Sequence, residues 1–143
     1  MGKILGIDYG IIITGLSITD QNKIFAFGLD AIPTKKLMIY LESIIYKEEI
    51  EKLIVGLPKK LNNNLEFFLE KKIQDFLAVF CKKYPKVSII RIDERFTSKL
   101  SFYYMISSGL KKNKRKKKIL NKISATIILQ SYLRKITLKN KNL

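Results

Sequence analysis

Three apolar segments crowd into the first 29 residues, at 3–9, 12–19 and 23–29, and only two or three residues separate each from the next. Links that short cannot hold a crossover helix, so successive strands must run antiparallel. Asp20-Gln21-Asn22 reads as the polar turn of a hairpin joining the second and third strands. The pattern then changes. Pro33 and Thr34 open a helix running to about Glu49, with Leu37, Leu41, Ile44 and Ile45 at helical spacing. Residues 52–56 form a short buried strand stopped by Pro58, and Asn62-Asn63-Asn64 is a loop. Residues 65–83 form an amphipathic helix whose buried side carries Phe68, Ile73, Phe76, Leu77 and Phe80. Pro85 ends it, and 87–92 is the fifth strand. Thr97 caps a helix over 98–107 that stops at Gly109. A basic segment follows at 110–118, then a last helix over 119–135.

The order β-β-β-α-β-α-β-α-α predicts an α/β fold. Its mixed five-stranded sheet has three antiparallel strands followed by α/β units, and helices flank both faces. The 143 residues suit one domain, expected over 1–136, with 137–143 a flexible tail.

Absences narrow the chemistry. With no histidine, Ser-His-Asp triads, Cys-His dyads and His-ligated zinc are excluded. The single Cys81 allows no internal disulfide and suits a reducing compartment. Carboxylates are the only strong metal ligands, and they favour Mg²⁺ or Mn²⁺. No run of about 18 apolar residues suggests a membrane span, and the N-terminal segment meets Asp8 too early for a signal peptide. The expected location is the cytoplasm.

The formal net charge is +16, carried by 24 Lys and 4 Arg against 12 acids. Its distribution matters more than its size. Residues 1–94 hold 14 basic and all 12 acidic residues, whereas residues 95–143 hold 14 basic residues and no acid. A field that one-sided points to nucleic acid as the partner. Lys111, Lys112, Lys114, Arg115, Lys116, Lys117 and Lys118 form a phosphate-tracking arm, with Arg95 as a further cation. Tyr103 and Tyr104 are available for base stacking or for packing.

Two strand ends carry acids. Asp8 closes the first strand in Gly6-Ile7-Asp8-Tyr9-Gly10, where the flanking glycines let a ligand or backbone approach closely. Asp93 and Glu94 close the fifth strand, just before the Thr97 cap. An acid at the end of an apolar strand needs a cationic partner. Bringing Asp8 together with Asp93 or Glu94 would supply a metal site for phosphoryl hydrolysis.

These residues resemble a family. Gly6-Ile7-Asp8-Tyr9-Gly10, Gly15-Leu16-Ser17, Val55-Gly56-Leu57-Pro58, Asp93-Glu94-Arg95-Phe96-Thr97 and Ser124 to Leu133 follow the order and spacing of the YqgF/RuvX family of Holliday-junction-resolvase-like proteins. The resemblance implies a ribonuclease H-like fold and a nuclease maturing the 5′ end of pre-16S rRNA, in ribosome biogenesis. Cleavage of Holliday junctions is the alternative. It also implies Asp8, Glu94 and position 121 as metal ligands, with Asp93 a further catalytic candidate. The family places Asp at the start of its last helix, where this chain has Asn121. An Asn offers an uncharged carbonyl oxygen and cannot act as a base, so impaired activity, or a binding protein of the same fold, is a further alternative. An ATP-binding domain of the actin type is disfavoured, because that fold needs two such domains.

Overall fold

A computed structural model describes residues 2–58, 64–93 and 114–141. The elements are β1 (Lys3–Asp8), β2 (Ile13–Thr19), β3 (Ala26–Pro33), a 3₁₀ turn (Thr34–Lys36), α1 (Leu37–Ile44), β4 (Ile50–Leu57), α2 (Asn64–Lys83), β5 (Ser88–Asp93) and α3 (Lys114–Lys141). The strands form one sheet in the order β3-β2-β1-β4-β5. β1 pairs antiparallel with β2, and β2 with β3. β4 pairs parallel with β1 and with β5. This is the mixed five-stranded α/β sheet that the strand order implies.

Strand alternation gives the sheet two apolar faces. Leu5, Ile7, Leu16, Leu53 and Val55 join Leu37 and Leu41 of α1 and Ile73 and Phe80 of α2 on one face. Ile4, Ile54 and Ile92 meet Ile128, Leu129 and Tyr132 of α3 on the other. The contact with α3 is unusually close. A Cβ at Gly15 would overlap the carbonyl oxygen of Asn121, and one at Gly6 would overlap the Ser17 hydroxyl. Ser17 Oγ in turn donates to the Ala125 carbonyl at 2.6 Å. Glycines on β1 and β2 therefore let the helix backbone rest directly on the strands.

Several boundaries differ from expectation. β3 begins later because Asp20 organises a longer turn. Its Oδ1 accepts from the backbone N–H of Ile24 at 2.9 Å and of Phe25 at 2.7 Å. β3 then runs through Pro33, the residue at which the pattern predicts a helix to open. Thr34 is tied back to the sheet side by its N–H to Ile12 O at 2.8 Å, so the α-helical turns start only at Leu37. The first helix ends at Ile44 rather than near Glu49, which takes a left-handed φ of 52° before β4. The last helix spans 28 residues, starting five residues before and ending six residues after its predicted bounds. Lys and Arg are good helix formers, so Lys114 to Lys118 join α3 instead of forming a separate segment ahead of it. The helix expected over 98–107 lies outside the described residues.

Candidate nucleic-acid cleavage site

β1, β4 and β5 run parallel, so Asp8 and Asp93, each the last residue of its strand, lie at the same end of the sheet. Asp8 is one step beyond the Ile7–Val55 pair, and Gly56 at that level pairs with Ile92. Two strand spacings, about 9–10 Å, separate the backbones. Their faces differ. Asp8 follows Ile4 and Gly6 onto the α3 face. Ile90 and Ile92 occupy that face on β5, whereas Asp93 follows Ile89 and Arg91 towards α2.

Asn121 is brought to Asp8 through Gly15. Asp8 and Gly15 are cross-strand partners, and the Asn121 backbone rests against Gly15. The first motif and the start of the last helix, over 100 residues apart in sequence, thus meet at one strand end. Asp8 and Asn121 are both half-buried. Among the described residues, no group of three or more His, Cys, Asp and Glu side chains is assembled.

Glu94, Arg95, Lys111, Lys112, Tyr103 and Tyr104 lie outside the described residues. Lys114, Arg115 and Lys116 are placed in the first turns of α3 by its backbone, and Lys117 and Lys118 are exposed on the next. The first turn of α3 contains no acid. Cations crowding a helix N-terminus oppose the helix dipole and one another, an arrangement that a bound polyanion relieves.

A cleft of about 450 Å³ adjoins Asn121. Gly10, Ile11, Ile12 and Ile13 form one wall, Leu65, Glu66 and Leu69 of α2 another, and Lys117 and Asn121 of α3 the third. Nothing in the sequence pattern singles out Glu66, and only the tertiary fold brings it to this end.

A second group that sequence pattern does not reveal supports the same end of the sheet. Arg91 makes a two-pronged ion pair with Glu70, Nη1 donating to Oε2 at 2.9 Å and Nη2 to Oε1 at 2.6 Å. It also donates to the carbonyls of Gly56 at 3.0 Å and Val55 at 3.3 Å. Burial pushes the Glu70 carboxyl up, but hydrogen bonds from Arg91 and Gln74 and the Arg91 charge outweigh it and hold the group below its ordinary value. The available signal is one arginine inside the apolar run Ile89-Ile90-Arg91-Ile92, which needs a buried partner.

A mixed sheet in this order, with helices on both faces, is a ribonuclease H-like fold. The chain shares this fold with T. thermophilus RuvC in complex with Holliday junction substrate, at a TM-score of 0.60, 13% identity, and coverage of 95% of this chain and 96% of that one. It also matches a Fowlpox virus resolvase in complex with junction DNA, at a TM-score of 0.55, 14% identity, and coverage of 94% and 98%. The chain belongs to the RuvX family, described as Holliday junction resolvase, which it matches over residues 2–135. Relatives from Christiangramia forsetii and Karelsulcia muelleri, each named "Putative pre-16S rRNA nuclease", are both 45% identical to it. The alignments cover 93% of this chain and 98% of the first relative, and 94% and 99% for the second. No helix among the described residues is long and apolar enough to cross a membrane.

Proposed function

We propose that the chain is a metal-dependent nuclease that hydrolyses phosphodiester bonds in pre-16S rRNA. The observation that carries this reading is that the Asn121 backbone rests on Gly15, the cross-strand partner of Asp8, at the strand end where the basic start of α3 also lies. The relatives' shared name supplies the substrate.

The donor set suits Mg²⁺ or Mn²⁺. It offers carboxylate and amide oxygens only, without histidine or a cysteine cluster. Asp8 and Glu94 would hold the ion, with the Asn121 carbonyl oxygen as a neutral third donor. Glu94 is preferred to Asp93 because the alternation of β5 puts Asp93 on the α2 side. A bound divalent ion lowers the pKa of water and stabilises the leaving oxygen. The chain's own contribution is to fix these oxygens around one phosphate. The Asn121 backbone rests on Gly15, the cross-strand partner of Asp8, while Lys114 to Lys118 would draw in the flanking phosphates. Replacing an acid by Asn121 removes one negative charge, so the second of two cations should bind weakly and hydrolysis should be slow.

The test is incubation with a 5′-extended pre-16S rRNA fragment and with a four-way DNA junction, each with Mg²⁺ or Mn²⁺. Cleavage of the RNA that is lost on Asp8→Asn, with binding retained, is the expected result. Binding without cleavage under every condition would reduce the chain to a nucleic-acid-binding protein, and cleavage of the junction alone would replace the substrate.

A further inference from the structure

We infer that the cleft beside Asn121 receives one unpaired nucleobase next to the scissile phosphate, so that the protein selects unstacked over continuous duplex nucleic acid. This rests on the nuclease reading of the Asp8–Asn121 end and deepens it.

The cleft is built from a pinned loop. Thr34 Oγ1 donates to Gly10 O at 2.6 Å, Thr34 N–H donates to Ile12 O at 2.8 Å, and the Thr14 and Thr34 hydroxyls are 2.8 Å apart. Within this frame Ile11 and Ile12 are held 49% and 77% exposed, and Leu65 on the facing helix is 67% exposed. Single exposed apolar side chains are ordinary. Here they line one mostly apolar concavity, with Glu66, Lys117 and Asn121 also on its wall. Its volume falls within the roughly 300–1,000 Å³ of small-ligand sites.

The lining selects among occupants. A phosphate in the cleft would lose its water against isoleucine and leucine side chains. An aliphatic side chain from a protein partner would leave the cations at the start of α3 beside the cleft without a counter-charge. A nucleobase meets both demands. Its flat faces would bury against isoleucine and leucine, its sugar-phosphate would meet the cations of α3, and its polar edge would be left to Asn121, which can both donate and accept. Its phosphate would then emerge at the strand end that carries Asp8. A base within a duplex has its edge paired and its faces stacked, so it cannot enter.

The experiment measures binding in EDTA, where no cleavage occurs. Three RNA ligands are compared by fluorescence anisotropy: a 12-nucleotide single strand, the same strand with its bases removed at the four central positions, and the strand in a blunt duplex. We expect the intact strand to bind about tenfold more tightly than the abasic strand, the scale of one buried base, and also more tightly than the duplex. Combined Ile12→Ser and Leu65→Ser should lower the intact strand to the abasic level and leave the abasic affinity unchanged. Both residues are solvent-facing, so folding is not at stake, and the comparison of ligands on the unaltered protein stands without the variant. Equal binding of intact and abasic strands, tighter binding of the duplex, or an equal loss on both strands in the variant would overturn the proposal. Base dependence without any metal-dependent cleavage would leave the cleft as assigned and remove the nuclease reading instead.

Discussion

The two faces of the sheet are sealed by different means. Towards α1 and α2, branched and aromatic side chains interdigitate in a broad cluster from Ile32 to Phe80. Towards α3, a smaller cluster of Ile4, Ile54, Ile92, Ile128, Leu129 and Tyr132 is joined by glycines at 6 and 15 that let the helix rest backbone-to-strand. Side-chain packing can readjust by rotamer changes, whereas a backbone contact admits no added atom. The rigid contact is the one beside Asp8. The difference suggests that the α1/α2 face supplies most of the stability while the α3 face sets the geometry of the site.

The largest expected effect bears on the link between the softer face and the site. Arg91→Ala would leave the Glu70 carboxylate with Gln74 as its remaining side-chain partner, and losing a two-pronged charged contact of this part-buried kind costs about 3 kcal/mol. Urea unfolding should show the loss, and combined Arg91→Met and Glu70→Leu should recover most of it. An Arg91→Ala protein as stable as the parent would mean that the pair does not anchor α2.

Gly15→Ala comes next. Overpacking costs about 1–3 kcal/mol, and here the obstacle is the carbonyl of Asn121 rather than a flexible side chain. Ile73→Val, at a fully buried position on the other face, should cost only about 0.5–1.5 kcal/mol. Similar unfolding midpoints for the two variants would erase the contrast between the faces.

The arm can be tested through salt. Changing Lys117 and Lys118 to Gln should reduce the slope of log K against log salt by roughly 0.7–0.9 for each phosphate no longer neutralised. An unchanged slope would make this turn of α3 a solvated surface.

The smallest effect is a pH dependence. The Glu70 carboxyl is held below its ordinary 4.5 in the folded protein, so its contribution is fully present above that value and is lost as pH falls through the lower, folded-state value. Glu70→Gln should flatten the acid limb of a stability–pH curve, and an unaltered limb would assign acid sensitivity to other carboxylates.

Much of this is legible from local pattern. Short links between the first three segments dictate their antiparallel pairing, and the apolar spacing of α2 gives its bounds to within one residue. Asp8 stands out because it ends an apolar strand between glycines. The rest depends on distant contacts. β5 has isoleucines on both faces, so its sequence gives no contrast to show on which side Asp93 falls. The Arg91–Glu70 pair spans 21 residues and leaves no local periodicity. Like charges at helical spacing repel, which sets the basic run apart as a segment ahead of the last helix, yet its residues from Lys114 onward begin α3. The cleft containing Glu66 exists only once the ends of α2 and α3 meet the loop after β1.

Metal-dependent cleavage of the pre-16S rRNA fragment by Asn121→Asp, set beside the parent chain and Asp8→Asn, tests the central claim most directly. Restoring a third negative charge should raise the rate at least about tenfold, equivalent to roughly 1.4 kcal/mol of transition-state stabilisation, and should lower the Mg²⁺ concentration needed for half-maximal rate. Asp8→Asn should abolish cleavage while RNA binding persists. Brisk cleavage by Asp8→Asn, together with an Asn121→Asp protein whose rate and metal requirement match the parent's, would show that these residues do not form the cleavage site.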